Sequence, residues 1–158
     1  MERTARGIVT VAVSAAIALL WPATAGAADP LKPGPRDACP VCGMFVAPFP
    51  EWTAQVVLPD GSAFFFDGCK DLFTFLVNRT RYATAERPAT AEVAAIFVTG
   101  YYDQQPIPAR EALYVVGSDV LGPMGAELVP LADRDEADEF MTDHRGTAVL
   151  RFDEITTT

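Results

Sequence analysis

Residues 52–78 constrain the fold more than any other stretch of the chain. Residues 52–58 are apolar and β-branched, Pro59-Asp60-Gly61 carries turn chemistry, and residues 62–66 return as a second run, which predicts a β-hairpin. Asp67 then stands where a helix cap belongs, and Cys69, Leu72, Phe73 and Leu76 recur at i, i+3, i+4 and i+7 across a helix at about 68–78. That face has to be buried. A polar, proline-containing connection at 79–90 leads to another strand at 93–98, which completes a β-β-α-β unit. After a loop at 101–110 the order recurs: strands at 112–117 and 126–131, a helix from Asp133 to about His144, and a last strand at 147–152. Glu136, three residues after Asp133, gives that helix a capping-box start, and Ala137, Phe140, Met141 and His144 share its buried face. The expected fold class is α+β, with two consecutive β-β-α-β units, residues 39–98 and 111–155, forming one compact domain.

Half of the 158 residues are hydrophobic, which suits one core and is too little for two large ones. Arg3 and Arg6 precede an apolar run at 8–20, and Ala25-Gly26-Ala27 matches the small-residue pattern at which signal peptidases cut. Residues 1–27 are therefore expected to be a cleaved signal peptide, and the mature protein to work in the periplasm. The apolar run is shorter than the roughly 20 residues that span a bilayer. No cysteine adjoins it, so no lipid anchor is expected. Residues 28–38 are rich in proline and read as a flexible lead-in, and residues 156–158 as a frayed tail. A net charge of −9 makes nucleic acid and anionic lipid poor partners, while a cationic metal or a basic patch on another protein would be attracted.

The chemistry concentrates in Cys39-Pro-Val-Cys-Gly-Met44, which holds two of the three cysteines. A C-x-x-C spacing alone serves zinc, thiol redox chemistry and structural disulfides. A four-ligand zinc site wants a second Cys or His pair, and the remaining candidates are Cys69 and the single histidine, His144. A thioredoxin-type pair belongs at a helix start, yet Pro48 and Pro50 keep the following segment out of a helix. A disulfide from Cys39 to Cys42, or from either to Cys69, stays open for an exported protein. Met44 tips the balance, because thiolate and thioether together suit Cu(I) better than zinc. Met124, flanked by Pro123 and Gly125 in a turn between strands, is a displayed methionine and a second thioether candidate. Met141 reads as core filler and Cys69 as core, disulfide partner or ligand. His144 is read as a residue of the helix C-terminus, with a nitrogen-ligand role as its functional alternative. One histidine and no G-x-S-x-G context leave no parts for a nucleophilic triad. A copper carrier that releases its ion by ligand exchange needs no enzyme chemistry, so the copper reading expects no enzyme.

These motifs, in order, resemble the NosL family of copper-binding accessory proteins of nitrous oxide reductase maturation. The likeness runs from about residue 37 to 155. It rests on Cys39-Pro-Val-Cys-Gly-Met44, Phe66-Asp-Gly-Cys69, Ala112-Leu-Tyr-Val-Val-Gly-Ser118, Gly122-Pro-Met-Gly125, His144-Arg-Gly146 and Val149-Leu-Arg-Phe-Asp-Glu154. It implies two β-β-α-β units and a periplasmic Cu(I) carrier for denitrification, with nitrous oxide reductase as client and a membrane ABC-type transporter complex as partner. Carried over by position, Cys42, Met44 and Met124 are the implied ligands, with Cys39 and Cys69 as further sulfur candidates. Members of the family are commonly lipoproteins, and the missing acylated cysteine points to a soluble shuttle here, whose client could also be another copper enzyme. Two readings of other classes stand beside it: a periplasmic thiol-disulfide protein using Cys39 and Cys42, and a disulfide-stabilised interaction domain without metal.

Overall fold

The computed structural model describes residues 28–156 apart from residue 87; the expected leader (1–27) and the last two residues of the expected frayed tail lie outside the described residues. β1 (Ala54–Val57) and β2 (Ala63–Phe66) make the hairpin, with Ala54 opposite Phe66 and Val57 opposite Ala63. Its turn works as turn chemistry requires: Gly61 takes φ +80° and the Ser62 N–H donates to the Asp60 carboxylate at 2.9 Å. Helix α1 (Cys69–Val77) follows and buries Cys69, Leu72, Phe73 and Phe75. A one-turn helix, α2 (Arg79–Tyr82), opens what was expected to be a plain connection. β3 (Ala95–Thr99) returns antiparallel along the free side of β1.

Within the expected loop lies a further strand, β4 (Pro106–Pro108), which adds to the outer side of β3 with Thr99 opposite Pro106. Two prolines remove two ladder donors, which hides a strand from its sequence but is tolerated at a sheet edge. The second unit runs β5 (Leu113–Val116), β6 (Leu121–Gly122), β7 (Gly125–Ala126), β8 (Val129–Leu131), α3 (Arg134–Asp143) and β9 (Ala148–Arg151). The stretch expected as one strand at 126–131 is divided. Its start pairs back on β6 as a small ribbon, and only its end joins β5.

Sheet order shows how deep the repetition goes. The first sheet is β2-β1-β3-β4 and the second β8-β5-β9. In each, the unit's first strand is central, the strand before the helix lies on one side, and the strand after the helix on the other. A shared core joins the units: Val56, Phe66, Leu72 and Val98 of the first pack in one apolar mass with Tyr114, Leu128 and Ile155 of the second. Phe73 meets Tyr114 edge-on, with ring centroids 5.1 Å apart. A smaller mass of Val115, Val129, Leu131, Ala137 and Phe140 lies under α3. Where a free tether was expected, Leu31 is docked on β1: its N–H donates to Gln55 Oε1 at 2.8 Å and its carbonyl accepts from Gln55 Nε2 at 3.0 Å.

Both helix starts differ from the expected pattern. Asp133 does cap α3, accepting the Glu136 N–H at 2.9 Å, but the reciprocal bond from Glu136 reaches the N–H of Ala132. Asp67 does not cap α1. Gly68 occupies the cap position, without a side chain to offer, and Glu127 of the second unit accepts the N–H of Lys70 instead.

Candidate metal centre

Residues 38–46 fold back on themselves. Ala38 and Phe45 form an antiparallel bridge, the Cys39 N–H donates to the Met44 carbonyl at 2.8 Å, and the Gly43 N–H donates to the Cys39 carbonyl at 2.9 Å. Closing the loop puts Gly43 at φ +82°, in the left-handed region that a side chain disfavours. The backbone N–H groups of Val41 and Cys42 then point at the Cys39 sulfur, and that of Met44 at the Cys42 sulfur. Such N–H donors favour the thiolate form of a cysteine.

Opposite the loop sits the start of α1. Cys39 Sγ donates to Asp71 Oδ2 and Cys42 Sγ to Asp67 Oδ1, each at 3.2 Å. One potential ligand atom from each of these four residues lies within 4.8 Å of all the others. Cys39, Asp67 and Asp71 are buried and Cys42 is half-buried, so Cys42 is the side that solvent reaches. Among the described residues, Asp67 Oδ2 is one of the few buried side-chain oxygens without a hydrogen-bond partner.

Burial first, and then the nearby carboxylates of Asp71 and Asp67, push the Cys42 thiol up to about 11, against the Met44 N–H. Burial raises Cys39 more strongly still, against the N–H groups of Cys42 and Val41. At neutral pH both sulfurs therefore carry protons that the carboxylates hold. A cation entering between them takes the place of those protons, and the N–H groups already aimed at sulfur stabilise the thiolates it leaves. Two thiols and two carboxylates this close are a donor set for one metal ion.

The family model for NosL matches residues 30–158. This chain belongs to the NosL family. A copper-binding lipoprotein NosL of Stutzerimonas stutzeri is 32% identical over 127 residues, covering 80% of this chain and 66% of that one. The chain thus spans just under two thirds of the length of that NosL relative. The crystal structure of the copper chaperone NosL from Shewanella denitrificans matches with a TM-score of 0.66 at 25% identity, over 82% of this chain and 96% of that chain. The α+β architecture of two β-β-α-β units is accordingly a NosL fold.

Within this NosL chain the expected site residues are distributed unequally. Cys39 and Cys42 come together, and Met44 follows them half-buried. Met124 stands at the tip of the β6–β7 ribbon, 47% exposed, with its carbonyl accepting from Lys70 Nζ at 2.9 Å. That bond ties it to the same helical turn that carries Asp71. Cys69 is buried in the shared core, outside the four-residue group, and its thiol is raised first by burial and then by Glu127. All three cysteines are free thiols. His144 ends α3, with Nδ1 3.2 Å from Asp119 Oδ1 and its ring packed on Phe140.

The two carboxylates are what the sequence reading missed. The sequence pattern casts Asp67 as a helix cap and gives Asp71 no role. A signal existed: Asp67 follows Phe64-Phe65-Phe66, a strand buried on both faces, so its side chain has no water to reach. Asp71 lies in the first turn of α1, and its carboxylate meets Cys39 as that of Asp67 meets Cys42.

Proposed function

We propose that this protein is a copper chaperone that holds one Cu(I) between Cys39 and Cys42, with Met44 and Met124 as neutral thioether donors. It acts in the periplasm and passes its cargo to a maturing copper enzyme, nitrous oxide reductase being the expected client and a membrane ABC-type transporter complex the expected partner. It is a binding protein rather than an enzyme. The observation that carries this reading is the paired thiols 3.2 Å from their acceptors in a loop whose N–H groups already face both sulfurs. Soft sulfur donors select a monovalent copper ion over harder cations. The names of the relatives agree, one a copper-binding lipoprotein and the other a copper chaperone.

The thiol-disulfide alternative is disfavoured by the same thiols. An attacking cysteine works as a thiolate and needs a lowered pKa, whereas burial raises both of these. The carboxylates support a different second reading, since two sulfurs with Asp67 and Asp71 also supply four ligands of the kinds that hold Zn(II). Anaerobic titration of the reduced protein with Cu(I) against a chromophoric chelator, with and without Zn(II), tests both. One Cu(I) per chain is expected, undisplaced by equimolar Zn(II), with Cys42→Ala weakening binding by more than about 100-fold, beyond the loss typical of outer-shell changes. Reduced protein that retains no copper overturns the proposal. Copper content of nitrous oxide reductase from cells lacking this chain tests the client.

A further inference from the structure

The β6–β7 ribbon pairs through Leu121 with Ala126 and Gly122 with Gly125, and among the described residues it joins no larger sheet. A two-stranded ribbon so short has no fixed place in water by itself. What places it is Lys70. The ammonium donates to the carbonyls of Met124 at 2.9 Å and Ala126 at 3.0 Å, while the backbone N–H of the same residue donates to Glu127 at the ribbon's foot. The next residue along α1 is Asp71, which accepts from Cys39 Sγ at 3.2 Å.

We infer that Lys70 is the positioning residue that delivers the Met124 thioether to the Cys39–Cys42 pair, by clamping the backbone of the ribbon to the turn beside the site. The inference rests on the reading of Met124 as a copper ligand. Coulomb's law alone sets a lysine against this place, because an ammonium near a cation site repels the cargo. The two effects of removing it therefore have opposite signs. Loss of a repelling charge tightens Cu(I) binding, and loss of the clamp weakens it.

Lys70→Leu keeps an apolar stem and removes the donors without adding a sulfur, Lys70→Arg restores them, and Met124→Leu removes the thioether. Should Lys70→Leu not fold, Lys70→Gln, which loses the charge and shortens the reach, serves in its place. In metal-free protein, amide exchange at residues 121–126 is expected to quicken in Lys70→Leu while β1 and the middle of α1 stay protected. Cu(I) affinity is expected to fall about tenfold or more, with recovery in Lys70→Arg. Copper X-ray absorption should show one sulfur fewer than in wild type, and adding Lys70→Leu to Met124→Leu should cost nothing further. Unchanged or tighter binding in Lys70→Leu, or a full additional loss in the double variant, overturns the inference while leaving the copper site standing. Wild-type protein that takes up no Cu(I), or Met124→Leu that binds as wild type does, overturns the reading beneath it as well.

Discussion

The two units of this protein run the same course and then diverge at one joint. Each leaves its second main strand through two residues and enters a helix, Asp67-Gly68 in the first unit and Ala132-Asp133 in the second. In the second, the acid is at the cap position and holds the helix start. In the first, the cap position is Gly68 and the acid stands one residue earlier, facing Cys42. A β-carbon at Gly68 would collide with the Glu127 carboxylate. The missing side chain thus admits a cap from the other unit and releases Asp67 for the sulfur loop. A duplicated frame acquires a site on one side by moving a carboxylate one position and borrowing a replacement.

The division of labour between the units is most open to attack through their cores. Phe66 lies in the mass shared by both units and Phe140 in the smaller one under α3, each fully buried, so Phe→Ala at either is expected to cost about 3–5 kcal/mol. Denaturant melts measure that loss, and Cu(I) titration separates the two. Phe66→Ala should weaken copper binding, whereas Phe140→Ala should leave the affinity of the folded protein within about twofold. Equal damage to binding would mean that the second unit is part of the site's support throughout.

Next in size is a dependence on pH. Burial raises the Glu127 carboxyl to about 7, against the N–H groups of Leu128 and Lys70 and the Lys70 charge. A carboxyl that binds its proton more tightly folded than unfolded favours the fold at low pH. Its contribution is full below about 4.5 and is lost as pH rises through about 7, up to roughly 3 kcal/mol in all. Metal-free stability measured across that window should show the fall, and Glu127→Gln, which cannot ionise, should flatten it. Gly68→Ala should cost about 2 kcal/mol by driving Glu127 off the helix start and stranding the Lys70 N–H.

The smallest effects bear most directly on the acids. Asp133→Ala is expected to lower the melting stability by about 1 kcal/mol, the usual worth of a cap, with copper binding unchanged. Asp67→Asn should leave metal-free stability equal or higher, since it removes a charge from a buried place where Oδ2 has no partner. It should also lower the Cys42 thiol from about 11, because Asp67 is among the groups that raise it. Thiol titration by absorbance of the thiolate reads that shift directly.

These contrasts also explain which parts of the molecule the sequence revealed. The first hairpin and both long helices follow from local alternation, turn residues and a 3.6-residue period, and they lie within a few residues of where those patterns put them. β4 was hidden because Pro106 and Pro108 signal a loop, and only a neighbouring edge makes them a strand. The ribbon was hidden because residues 121–126 are too few to show a period. At the site, the thiols were legible because three residues of separation fix them locally. Asp67 and Asp71 were not, since their approach to the sulfur loop is made by packing between segments more than twenty residues apart. Glu127 was still further out of reach, because its bond to Lys70 spans 57 positions.

The two cysteines differ in exposure, Cys39 sealed at 2% and Cys42 half-open. Under the proposed function, an ion shared by them would have an inner and an outer tether. An acceptor arriving from solvent would meet the outer one first, so Cys42 would let go while Cys39 kept its hold, and the ion would never be bare. The unequal depth of two otherwise identical side chains would then set the direction of handover.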